Sequence, residues 1–163
     1  MYHVVDTNVL VVANGKNKAP QASLECINSC VKYLSSLQKS GILVIDKNWL
    51  ILKEYKNNVS EKGQPEIGDR FLYWLLKNQA NRKHCEQVTI KQISEYEFEE
   101  FPQSESLKNF DKSDRKFVAV ALTHPAKPAI ANAVDSDWRN YEEALADHGV
   151  SLNFLCPELA AKN

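Results

Sequence analysis

Met1-Tyr2-His3-Val4-Val5-Asp6-Thr7-Asn8-Val9-Leu10 opens the chain, and the reading of these ten residues decides the fold. Tyr2 to Val5 are aromatic and β-branched, side chains that suit a buried pleated strand. Asp, Thr and Asn serve strand interiors poorly and turns or caps well, so the strand is expected to stop at Asp6. A carboxylate is thereby delivered to the C-terminal end of the first strand. In open α/β sheets, ligands bind just beyond that end. Asp6 becomes the first candidate functional residue, with Thr7 and Asn8 placed beside it to hold water or phosphate, or to cap a helix.

Working outward, Asn14 to Lys18 read as a polar loop, and Pro20 is expected to open a helix of about eighteen residues ending near Gly41. Leu24, Ile27, Val31 and Leu34 would fall on its apolar face. Ile42-Leu43-Val44-Ile45 is a continuous apolar run of strand length closed by Asp46, and such a run implies a strand covered on both faces in a parallel sheet. From Lys47 a helix is expected to start at once, carrying Trp49, Leu50, Ile51, Leu52, Glu54 and Tyr55. Asn57 to Asp69 read as a surface loop, followed by a helix with Phe71, Leu72, Leu75 and Leu76 on one face. Glu86 to Ile90 form a short strand, and Ser94 to Phe110 an irregular, acidic excursion interrupted by Pro102. Asp111 to Asp114 precede a helix through Leu122, and Pro128 to Val134 form a further core strand ending in Asp135-Ser136-Asp137. A helix marked by Trp138, Tyr141 and Leu145 ends at Gly149. Ser151 to Cys156 form the last strand, and Pro157 starts a short helical turn. The alternation of strand and helix makes the fold class α/β, a three-layer sandwich with a central, mostly parallel sheet, and the whole chain, 1–163, is expected to be one domain.

Composition excludes several classes. With 44% apolar and 25% charged residues in 163, the chain has the balance of a globular protein rather than a disordered or fibrous one. Its apolar stretches fall far short of the roughly 20 residues a membrane helix needs. The N-terminus lacks the basic start and long apolar region of a secretory signal, so a cytoplasmic protein is expected. The cysteines, Cys26, Cys30, Cys85 and Cys156, form no C-x-x-C pair and are expected to be reduced, mostly buried thiols. Cys26 and Cys30 lie one helical turn apart, yet a set completed by His84 and Cys85 matches no zinc signature, and packing is their expected role. Residues 1–90 carry 12 Lys and Arg against 8 Asp and Glu, whereas residues 91–163 carry 8 against 13. That split suggests an acidic centre bordered by a basic surface, an arrangement suited to a polyanionic substrate.

Asp6, Asp135 and Asp137 all follow core strands, Asp114 sits at a helix start, and Glu54 lies on a helix that begins at a strand end. In a parallel sheet the strand ends share one edge, so these five acids can converge. Clustered carboxylates raise one another's pKa and resist ionising together unless a cation offsets them. A set of oxygen ligands without His or Cys suits a hard ion, Mg2+ or Mn2+, which can activate water and stabilise charge on a phosphodiester. Lys47, Lys53 and Lys56 are expected near the mouth of the site, and Arg115 and Lys116 are further candidates for phosphate contact.

The ordered set resembles the PIN-domain nucleases. V-V-D-T-N-V-L resembles that family's first strand with its leading acid Asp6, I-L-K-E-Y its second acidic position at Glu54, D-R-K-F-V-A-V-A the third at Asp114, and A-V-D-S-D-W the fourth, carried by Asp135 with Asp137 beside it. L-N-F-L-C-P resembles the closing strand and proline. The resemblance implies a PIN-like fold with metal-dependent cleavage of RNA, a toxin role with a partner antitoxin, and a homodimer. Two other readings stay open: a catalytically silent PIN-like module that binds RNA or protein, and a phosphatase of the haloacid dehalogenase type. The latter wants a second Asp two residues after the first, where this chain has Asn8.

Overall fold

The computed structural model describes residues 1–60 and 62–160. Along the chain the elements are β1 (Tyr2–Val5), α1 (Thr7–Ala13), α2 (Leu24–Ser40), β2 (Ile42–Asp46), α3 (Leu50–Asn58), α4 (Ile67–Asn78), β3 (Cys85–Val88), β4 (Gln92–Ser94), β5 (Glu97–Phe98), α5 (Arg115–Thr123), β6 (Ile130–Asn132), α6 (Ser136–Asn140), α7 (Glu142–Asp147), β7 (Leu152–Phe154) and α8 (Pro157–Ala160), with 3-10 turns at Glu105–Leu107 and Lys112–Asp114. Five strands form a wholly parallel sheet in the order β3-β2-β1-β6-β7. Val4, Val5, Leu43, Val44, Ile45, Ile130 and Ala131 are all buried, so adjacent residues pointing to opposite faces are covered alike. Helices flank the sheet, giving the three-layer α/β architecture that the apolar runs imply. No helix among the described residues is long and apolar enough to cross a membrane.

The strand order locates the site before any side chain is considered. The chain builds outward from β1 through β2 to β3, then returns to lay β6 on the other side of β1. β1 and β6 therefore flank the point where the winding reverses, and in open parallel sheets the crevice beyond the strand ends at that point is the binding cleft. Asp6 ends β1, and Asp135 follows β6 after a three-residue step.

Close packing fixes the helices around this crevice. Gly68 of α4 lies so near α1 that a Cβ there would sit 2.0 Å from the carbonyl oxygen of Leu10. No other residue fits at that crossing, which holds α1 and its N-terminal Thr7 and Asn8 in place. On α3, the Tyr55 hydroxyl donates to the carbonyl of Val5 at 2.5 Å, pinning that helix to the end of β1 one residue before Asp6.

Several boundaries differ from the sequence reading. α2 begins at Leu24 rather than Pro20, because the Ser23 side chain caps it by accepting the Cys26 N–H. Its buried face is Cys26, Cys30, Leu34 and Leu37, and Leu24 is 68% exposed. α3 begins at Leu50 rather than Lys47. The Asp46 carboxylate accepts the N–H groups of Leu50 and Ile51 at 2.9 and 3.0 Å, and Trp49 turns through the left-handed region with φ 65°, its ring partly exposed. The segment read as irregular holds the β4–β5 antiparallel ribbon and a small core of Phe98, Phe101, Leu107 and Phe110. The helix expected from Trp138 to Gly149 is two, broken at Tyr141.

The cysteines also depart from expectation. Cys26 and Cys156 form a disulfide across a sequence separation of 130 residues, while Cys30 and Cys85 are free and buried. The pair meets because α2 and the segment after β7 converge in space, a proximity that spacing along the chain does not encode.

Candidate metal centre

Three carboxylates meet in the crevice between the ends of β1 and β6. Oxygens of Asp6, Asp114 and Asp135 lie within 4.8 Å of one another. They line a cavity of about 270 Å³ together with Thr7, Asn8, Gln21, Glu54 and Ser113. Each acid arrives by a different local device. Asp6 stands where β1 stops: its N–H donates to the carbonyl of Ala131 on β6, and its side chain caps α1 by accepting the Asn8 N–H. Asp114 closes the 3-10 turn that leads into α5. Asp135 caps α6 by accepting the Asp137 N–H at 3.0 Å.

Asp6 is held by two donors on one oxygen. Its Oδ2 accepts from the Asn8 amide at 2.7 Å and from the indole N–H of Trp138 at 2.5 Å. The Asn8 amide also donates to Asn132 Oδ1 at 2.8 Å, and its carbonyl accepts the N–H groups of Ala133 and Val134. One short side chain thus ties the end of β1 to the end of β6. Asn132, fully buried on β6, passes the tie onward by donating to the carbonyl of Asp135. Trp138 is fixed in turn by an aromatic cluster, its ring 5.2 Å from Phe110, which also packs on Phe101 and Tyr141. The excursion between β5 and α5 therefore supplies the wall behind Asp6.

Electrostatics follow from burial and crowding. Asp6 is pushed up to about 7, chiefly by burial and further by the charges of Asp135 and Glu54, while the Trp138 hydrogen bond opposes the shift. Asp114 is pushed up to about 10, again first by burial and then by Asp6 and Asp135. Asp114 Oδ2 is buried and has no hydrogen-bond partner among the described residues. A buried acceptor left unpaired costs about 1–3 kcal/mol, and a charged one costs more. Asp114 belongs to a cluster with two other carboxylates, and an all-oxygen set of this kind matches what a hard divalent cation coordinates.

Glu54 lines the same cavity but is engaged by the protein itself. Its Oε2 accepts from the Thr7 hydroxyl and its Oε1 from Lys116 Nζ at 2.7 Å. Lys116 also donates to the Ser113 carbonyl, so it bridges α3 to the start of α5. The Glu54–Lys116 pair is mostly buried, with side-chain exposures of 23% and 12%. Glu54 is therefore a rim carboxylate with both oxygens occupied, whereas the three aspartates form the inner cluster.

The remaining candidates disperse. Asp137 lies outside the three-carboxylate cluster, and its backbone N–H serves Asp135; burial, then Asp135 and Asp111, raise its own pKa. Lys53 lines an adjoining groove of about 400 Å³, which shares Glu54 and Ser113 with the acidic cavity and adds Lys112, Lys116 and Tyr96. Lys47 faces a separate cleft with Gln79, Arg82 and Glu86, because the Asp46 cap delays α3 and leaves Lys47 at the β2–β3 side. Lys56 is exposed and lines neither the cavity nor the groove. Arg115 turns back to donate to the carbonyls of Lys108 and Phe110 and stacks 4.9 Å from the centre of the Phe101 ring. It braces the excursion rather than facing the cavity.

Sequence reasoning missed Asn132, whose only signal was a polar residue at the end of a core strand. It also missed Tyr96, in the turn of the β4–β5 ribbon, and Lys112, in the 3-10 turn before α5, which both line the groove. Compared with protein-family models, curated proteins and solved structures, the chain matches none of them.

Proposed function

We propose that this chain is a metal-dependent nuclease that hydrolyses phosphodiester bonds of single-stranded or structured RNA, with Mg2+ or Mn2+ held by Asp6, Asp114 and Asp135. The observation that carries this reading is the unpartnered, buried Oδ2 of Asp114 within a cluster of three carboxylates. The cluster lies where an open parallel sheet binds its ligand, and the resemblance of the ordered acidic motifs to PIN-domain nucleases points the same way. When bound, the ion supplies an activated water and offsets charge developing on a phosphodiester.

The chain's own residues do the remaining work. Trp138 and Asn8 hold Oδ2 of Asp6, and Oδ1 carries the 3.5 Å contact from the Asn8 N–H. Thr7 and Lys116 orient Glu54 at the rim, a carboxylate placed to accept a proton from water in the cavity. Lys116 sets a positive charge beside the acids, where a substrate phosphate needs one. Lys53 and Lys112 continue that charge along the groove, and the Tyr96 ring, 43% exposed, offers a face on which a base can stack. A phosphatase of the haloacid dehalogenase type fits less well, because the second acid it needs is replaced by Asn8, whose amide is spent on Asp6, Asn132 and the backbone of Ala133 and Val134.

The test is cleavage of a 5′-labelled single-stranded RNA by purified protein with Mn2+ or with EDTA. Mn2+-dependent cleavage that is abolished in Asp6→Asn supports the reading. Cleavage persisting in EDTA, or at the wild-type rate in Asp6→Asn, overturns it.

A further inference from the structure

A second cluster of metal-ligating side chains lies away from the acidic cavity. Cys26 and Cys30 stand one turn apart on α2, and Cys156 precedes α8; all three are fully buried. Their sulfurs lie within 4.8 Å of one another. Cys26 and Cys156 are joined, and the free Cys30 sulfur lies 4.0 Å from that of Cys156.

Two thiolates bound to one tetrahedral zinc at about 2.3 Å each stand about 3.8 Å apart. Cys30 and Cys156 already have that separation. The Cys26 sulfur, one helical turn from Cys30, needs only to part from Cys156 for the three to surround a common point. We propose that the reduced protein binds one Zn2+ through Cys26, Cys30 and Cys156, and that this ion and the Cys26–Cys156 disulfide are alternative locks on the same joint.

The chemistry balances in two steps. A dithiol reductant closes its own disulfide and gives two electrons and two protons to the Cys26–Cys156 bond, leaving three thiols. Zn2+ then replaces the protons of the three sulfurs, which pass to water. Metal ligation needs the thiolates, and a bound cation offsets their charge inside the protein. Cys26 lies in the first turn of the long helix α2, where the helix dipole favours negative charge. Soft thiolates select Zn2+ over the hard ions suited to the aspartates, so the two centres sort their metals by ligand chemistry.

The joint matters because of what it holds. Glu158 of α8 accepts the N–H of Ser23, the cap of α2, at 3.3 Å, and Gln21, two residues before that cap, lines the acidic cavity. Either lock keeps the C-terminal segment against the turn that carries Gln21.

The probe is Cd2+, whose bonds to thiolate give an ultraviolet charge-transfer absorption to which carboxylate ligation does not contribute, so binding at the aspartates is silent. Full-length protein reduced with a phosphine is titrated with Cd2+, and a parallel sample is refolded from guanidinium with Cd2+ present, which admits the ion even where the folded chain excludes it. The expected result is absorption saturating at one equivalent, absent from the disulfide form, retained in Cys85→Ser and lost or severely reduced in Cys30→Ser. Cys30→Ser leaves the disulfide pair intact, so its oxidised form reports whether the variant folds. No absorption in either wild-type sample, or full absorption in Cys30→Ser, overturns the proposal.

Discussion

The indole N–H of Trp138 donates to Oδ2 of Asp6 across a sequence separation of 132 residues. It couples the first strand to the short helix after β6 and holds the innermost acid in one orientation. The bond opposes the upward shift that burial imposes on Asp6, so it favours the charged form a cation requires.

Trp138→Phe keeps a ring in the aromatic cluster and removes the donor. A hydrogen bond to a charged group contributes about 1.5–3 kcal/mol. The variant is expected to lose a stability of that order in urea denaturation at pH 9 in EDTA, and less at pH 5, where Asp6 is protonated. Equal loss at both values would assign the effect to ring packing alone.

Asp111 and Asp114 separate capping from ligation. The Asp111 carboxylate accepts both the N–H and the hydroxyl of Ser113, at 2.8 and 2.6 Å, and caps the 3-10 turn. Asp111→Ala is expected to cost about 0.5–2 kcal/mol, the usual loss for a cap, with RNA cleavage largely intact. Asp114→Ala is expected to abolish cleavage and to leave the metal-free protein equally stable or more so, since it removes a buried acid that folding must keep protonated at neutral pH. Melting in EDTA and cleavage with Mn2+ check both, and activity lost in Asp111→Ala but kept in Asp114→Ala would reverse the assignment.

The pH dependence of the metal-free protein has a definite sign. Asp6 and Asp114 rise from an ordinary 3.8 to about 7 and about 10, so the folded chain keeps protons that the unfolded chain has released. Stability from these two groups is fully present below pH 4 and is lost as pH rises through 7 toward 10. Other groups titrate below pH 5, so the comparison belongs above it: in EDTA, melting temperature should fall from pH 6 to pH 9, and Asp114→Asn should remove much of that fall. A wild-type melting temperature that rises over this interval would contradict the shifts.

The sheet and the edge that gathers the acids were legible in the sequence because both rest on local signals. An uninterrupted, largely β-branched Ile42-Leu43-Val44-Ile45 of strand length suits a strand buried on both faces, and Asp-Thr-Asn after Val5 suits the end of one. That edge predicts a gathering of five acids, of which the structure brings Asp6, Asp114 and Asp135 together, with Glu54 at the rim and Asp137 outside the cluster. What local signals do not carry is the direction of a long side chain. Lys47, Lys53 and Lys56 look alike in sequence, yet a cap at Asp46 shifts the helix start by three residues and sends them to three different surroundings. Arg115 beside Asp114 reads as a phosphate contact until the Phe101 ring, brought close by the folded excursion, claims it. Asn132, Trp138 and the Cys26–Cys156 bond act across more than a hundred residues, where spacing along the chain holds no information.

The central claim, that Asp6, Asp114 and Asp135 are a cation site, is tested most directly by calorimetric titration of Mn2+ into wild-type and Asp114→Asn at pH 7, each in two buffers of different ionisation heat. Asp114 is protonated at this pH in the metal-free protein, so wild-type binding should release protons and its apparent heat should change with the buffer. Asp114→Asn should bind far more weakly and show a smaller buffer dependence, since only the Asp6 proton is left to release. Wild-type protein that takes up no Mn2+, or an Asp114→Asn variant that binds it with wild-type affinity and heat, would contradict the assignment.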